Sequence, residues 1–62
     1  MKEPCFKSGD TVKLPWDREF GEDFFVITRV RPFNGTYILD AFCEGAEDIQ
    51  ISVDAKQVVR AD

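Results

Sequence analysis

The side chains able to do chemistry in this 62-residue chain are twelve carboxylates, eight cations and two thiols, with no histidine. Paired carboxylates acting as general acid and base need a cleft and a shifted pKa, and so short a chain has little room for one. Two thiols without histidine do not complete the usual four-ligand zinc site. The expectation is a non-enzymatic protein with no catalytic residue, no metal and no cofactor. Cys5 and Cys43 leave two readings open. Either Cys43 is a small buried hydrophobe and Cys5 a free thiol near a flexible end, or the two form a disulfide, for which no secretory context is evident.

What remains is chemistry of recognition. Trp16 and Phe20 fall in a polar stretch, and Phe42 and Ile38 share one side of a strand pattern, with Phe24 and Phe33 near the rim. Flat aromatic side chains make effective hot spots. The competing reading turns Trp16 and Phe20 inward to plug a core short of material. Two acidic groups, Asp17, Glu19, Glu22 and Asp23, then Asp40, Glu44, Glu47 and Asp48, would attract a basic partner or imitate nucleic acid. The alternative is a solvated surface that keeps a small domain soluble. A basic set, Lys13, Arg29 and Arg31, with Lys56 and Arg60 further on, could contact a nucleic-acid backbone while Phe33 stacks a base. Pairing with acids across strands is the other use for it. The net charge of −4 weighs against nucleic acid, whose binders usually carry a basic excess.

The elements that must position these groups read as β-structure. Residues 24–31 and 36–43 are rich in β-branched and aromatic types, joined by Pro32-Phe33-Asn34-Gly35. Asn34-Gly35 accepts the positive φ of a tight hairpin turn. Phe25 and Ile27 share a face, but the next apolar residue is Val30, so a bulge near Thr28-Arg29 is expected to return Val30 inward. Tyr37, Leu39, Ala41 and Cys43 alternate cleanly with Thr36, Ile38, Asp40 and Phe42. Before the hairpin, Thr11-Val12-Lys13-Leu14 forms a short strand with Val12 and Leu14 inward, stopped by Pro15. Residues 15–23 carry no periodicity and read as a long ordered loop. After it, residues 44–47 read as a turn and residues 48–53 as a fourth strand with Ile49, Ile51 and Val53 inward. Residues 53–57 suit one 3₁₀ turn, and Val58-Val59-Arg60 a closing strand. Residues 1–6 are expected to be a flexible lead-in, from which Phe6 folds back onto the core. Five short strands at this spacing indicate an all-β barrel or sandwich.

The order Gly-Asp-x-Val, a loop, Phe-x-Ile-x-x-Val, a turn, Thr-Tyr-x-Leu and a late single turn before a last strand resembles the SH3-like barrel superfamily. It is most similar to its KOW-type, Tudor-type and integrase C-terminal branches. Gly9, Asp10, Val12, Leu14, Phe25, Ile27, Val30, Thr36, Tyr37, Leu39 and Val58 carry the likeness. It implies an all-β, five-stranded, partly open SH3-like barrel with a single 3₁₀ turn before the last strand. It also implies that the first loop folds over the sheet beside the third and fourth strands. By the same resemblance, Trp16 and Phe42 with Asp40 or Glu44 would make an aromatic cage for a methylated amine, held by cation–π attraction. The Ala-Leu-Tyr-Asp-Tyr-like stretch of peptide-binding SH3 domains is absent.

The chain is thus expected to be a single-domain, cytoplasmic interaction module or accessory subunit. A protein partner would dock on Trp16, Phe20, Phe42, Asp40, Glu22 and Asp23. Lys13, Arg29 and Arg31 serve the alternative, a nucleic-acid-associated barrel, and the acidic face a third reading as a decoy. No run approaches the roughly 20 apolar residues of a membrane span. An exposed strand edge would allow weak self-association.

Overall fold

A computed structural model describes residues 6–19 and 21–61. Cys5 and Phe20, and with them the disulfide reading and one proposed anchor, lie outside the described residues. Five strands, β1 (Thr11–Lys13), β2 (Phe24–Phe33), β3 (Thr36–Cys43), β4 (Ala46–Asp54) and β5 (Val59–Arg60), form one antiparallel sheet in the order β4-β3-β2-β1-β5. The single 3₁₀ turn, Ala55–Gln57, lies between β4 and β5 and is capped by Asp54, whose side chain accepts from the Lys56 N–H.

The sheet's buried side carries Val12, Phe25, Ile27, Leu39, Ala41 and Cys43, joined by Phe6, Leu14 and Val58 from outside the strands. Apart from Ala55 of the 3₁₀ turn, which packs against this cluster, no helix or second sheet covers this side among the described residues, so the sheet curls to pack against itself. Overall extents of 33 × 21 × 20 Å fit that shape. The expected return of Phe6 is seen: the ring is buried, and the Arg60 guanidinium lies 5.2 Å from its centroid.

The central hairpin follows its sequence signals. Asn34 and Gly35 take φ of 46° and 78° between the paired residues Phe33 and Thr36, as a two-residue hairpin turn requires. The bulge also falls where the hydrophobic spacing places it. Ile27 faces Ala41 and Arg29 faces Asp40, so Thr28 is the extra residue. Hydroxyls satisfy groups left near it: Thr28 Oγ1 donates to the Asp40 carbonyl at 3.1 Å, and Ser8 Oγ to the Thr28 carbonyl at 3.2 Å. Val30 then packs against the core.

The second hairpin departs from expectation. The turn is Glu44-Gly45 alone, with Gly45 at φ 90°, because Ala46 already pairs with Cys43. Phe42 pairs with Gln50, so Glu47, Asp48 and Ile49 have no residue opposite them on β3. Ile49, expected inward, is 36% exposed. Ala46 has taken the place opposite Cys43 that an unbroken alternation would give Ile49. At the other end, Leu14 and Val58 are buried but lie just outside β1 and β5.

Candidate functional site

The first loop, residues 14–23, is tied by hydrogen bonds within itself. The Asp17 N–H donates to the Leu14 carbonyl at 3.0 Å, and the Asp17 carboxylate accepts from the Glu19 N–H at 2.9 Å. Gly21 packs so closely that a Cβ there would stand 2.6 Å from the Asp17 carbonyl oxygen. Trp16 sits inside this closed loop yet is 52% exposed, which decides against its plugging the core. Sheet register adds apolar neighbours below the loop. Lys13 lies opposite Phe24 on one side and Val59 on the other, and both are largely exposed. Lys13, Pro15, Asp17, Arg18, Glu22 and Val59 line an open hollow of about 380 Å³.

This places the loop at β1 and β5, whereas the resemblance implied β3 and β4. The surface around Phe42 is a separate one. On the outward face of β2, β3 and β4 lies an open hollow of about 600 Å³, lined chiefly by Thr28, Arg29, Asp40, Phe42, Gln50 and Ser52. No described residue of the first loop lines it. The expected anchors therefore divide: Trp16, Glu22 and Asp23 belong to the first loop, Asp40 and Phe42 to the sheet face. Trp16 does not join Phe42 and Asp40 in one pocket, as the cage would need.

Asp40 is heavily engaged. Arg31 donates to it through Nε at 2.9 Å and Nη2 at 3.0 Å, and Ser52 Oγ donates at 2.6 Å. The Ser52 hydrogen bond first, then Arg31, holds its carboxyl below the usual carboxylate range. The cations fare differently from one another. Arg31 is committed to Asp40, and the Lys13 ammonium lies 4.0 Å from Glu22 and 5.3 Å from the Phe24 ring centroid. Arg29 is exposed and makes no ion pair with a described residue.

Cys43 is a free thiol buried in the core. Burial, followed by the charges of Asp23, Asp48 and Glu44, pushes its pKa up. That suppresses the thiolate a nucleophile or metal ligand needs and suits a packing role.

Ser52, Gln50, Pro15 and Val59 were not singled out by sequence reasoning. Ser52 and Gln50 acquire their places only through the register of β4, and Val59 through the pairing of β5 with Lys13. Comparison with protein-family models, with curated proteins and with solved structures found no match.

Proposed function

We propose that this chain is a non-enzymatic protein-interaction module on a partly open SH3-like barrel, docking through its first loop with Trp16 as anchor. The barrel reading draws support from a first strand lying between the second and the last, a 3₁₀ turn before the last strand, and a bulge that bends the second. Fold alone gives no function. The observation that carries the reading is an indole 52% exposed on a loop held by its own hydrogen bonds. A large aromatic presented on an ordered support loses little entropy on docking and supplies much contact area.

The loop's charge chooses the partner. Asp17, Glu19, Glu22 and Asp23 follow Trp16 along the same loop, with Arg18 as the one base among residues 15–23. A basic protein surface with an apolar recess for the indole is the complementary partner. The nucleic-acid alternative loses ground because Arg31 is spent on Asp40 and Lys13 stands beside Glu22. The acidic-decoy alternative would need no aromatic anchor.

The test uses Trp16→Ala and wild-type protein as baits in extract of the native host. The variant should keep its denaturation midpoint to within about 1 kcal/mol and lose a partner that wild type captures. Trp16 is the chain's single tryptophan, so a tryptophan-free fragment of that partner should shift its emission to the blue. Identical capture by both baits overturns the reading. Unfolding of the variant overturns it too, since the indole would then be core.

A further inference from the structure

The sheet has two edges, and they differ. β5 is two residues long, whereas β4 runs for nine, pairs with β3 on one side and with no described strand on the other. Backbone N–H and C=O groups on such an edge are a template for another strand, and proteins commonly blunt them. β4 is not shortened and carries no proline. What guards it is the register slip at residues 47–49 and the charge of Glu47 and Asp48 in the exposed run Glu47 through Gln50, which turns away an acidic strand but not a basic one.

We propose that the outer edge of β4 receives an extended basic segment of a partner protein, which adds to the sheet as a sixth strand. Main-chain hydrogen bonds would supply affinity, and alternate side chains the selection. Charge decides the occupant. Residues 44–55 contain Glu44, Glu47, Asp48 and Asp54 and no lysine or arginine. A second copy pairing through the same edge would set these acids against themselves, and like charges facing each other destabilise paired strands. A copy pairing through β5 would offer two residues, with Arg60 already 3.3 Å from Asp10. A foreign strand with lysine or arginine at alternate positions meets neither obstacle.

The sheet face beside the edge fits that choice. A side chain of the added strand that points outward extends over Gln50 toward the Phe42 ring, both of which line the larger hollow. Glu47 lines the same hollow and makes no ion pair with a described residue. A lysine stem can lie along the apolar surface with its ammonium at Glu47. Arg29, the competing cation, lines the far wall on β2, with β3 between it and β4.

This surface is independent of the Trp16 loop, so the two readings fail separately. The probe is an acetylated, amidated octapeptide of alternating lysine and valine, added to the isotope-labelled full chain and followed by amide exchange. Exchange in β4 should slow at least about tenfold, in wild type and in Trp16→Ala alike. The same peptide methylated at every amide nitrogen, and an alternating glutamate–valine peptide, should leave β4 unchanged. Glu47→Lys/Asp48→Lys, a change at two exposed positions, should weaken binding about tenfold. No slowing in β4 overturns the proposal, as does an equal effect of the methylated peptide, which would mean charge attraction alone. Protection of β4 that rises with protein concentration in the absence of peptide would assign the edge to a second copy and overturn the basic partner.

Discussion

The two hairpins that share β3 are built to different standards. Between β2 and β3 the register runs unbroken from Phe33–Thr36 to Arg29–Asp40, yields one residue at Thr28, and resumes to Phe25–Cys43. Between β3 and β4 it slips by three residues immediately after the turn, between Cys43–Ala46 and Phe42–Gln50. The difference follows from burial. β2 and β3 bury Phe25, Ile27, Leu39, Ala41 and Cys43, whereas no residue of β4 is buried. A one-residue shift of a strand with a buried face turns its whole apolar set outward, so such a register is strongly fixed. The only apolar side chains of β4 that pack against the core are the half-buried Ile51 and Val53, with Ala46. The chain thus has a tightly specified half that makes the core and a less tightly specified edge with no described strand beyond it.

The largest expected effect tests the specified half. Phe25 is fully buried, and Phe25→Ala should cost about 3–5 kcal/mol. In a domain of this size that loss is expected to unfold much of the population. Ile27→Val, a milder deletion in the same cluster, should cost about 0.5–1.5 kcal/mol and remain measurable by urea denaturation. If both variants kept the wild-type midpoint, the sheet would not be packed on this cluster.

The same contrast explains what could be read from the sequence. The bulge was legible because Phe25, Ile27 and Val30 break an otherwise strict alternation, and only an extra residue restores it. The turn was legible because Asn34-Gly35 tolerates a backbone few other pairs adopt. The slip in β4 was not legible, since Ile49, Ile51 and Val53 alternate cleanly and imply a regular strand. What displaces Ile49 is Ala46, too small to carry a signal of burial. At the candidate site, Trp16 could be placed in a loop but not assigned a side, because an aromatic in a polar stretch suits a core plug and an anchor equally. Its loop is held by the Asp17 N–H to Leu14 carbonyl bond, by the Asp17 carboxylate on the Glu19 N–H and by the close packing of Gly21, none of which has a periodic signature.

A smaller effect should come from a polar link that ties both hairpins together. Asp40 on β3 accepts from Arg31 on β2 and from Ser52 on β4. Asp40→Asn removes a bidentate ion pair at a partly exposed site and should cost about 0.5–1 kcal/mol. The pH dependence has a definite sign. The folded pKa of Asp40 lies below the ordinary aspartate range, held there by the Ser52 hydrogen bond and then by Arg31, so its stabilisation is complete above the unfolded pKa and is lost as pH falls through the folded one. The gap in urea midpoint between wild type and Asp40→Asn should therefore hold steady from neutrality to about pH 5 and close below about pH 4. A gap that widened on acidification would remove Asp40 from the link.

The smallest expected effect lies at Ile49, where the second hairpin gives way. An isoleucine inward in a regular fourth strand would lose packing on truncation, at about 2–5 kcal/mol for Ile→Ala. At 36% exposure, in a stretch with no residue opposite on β3, Ile49→Ser should instead change stability by no more than about 0.5 kcal/mol. Amide exchange separates this from general tolerance of the chain. Residues 47–49 should exchange faster than residues 51–54, which are paired with β3, because protection follows the local opening free energy. Equal protection along all of β4, together with a large loss in Ile49→Ser, would mean that Ile49 occupies the place opposite Cys43. The second hairpin would then be as regular as the first, and the contrast in specification between them would disappear.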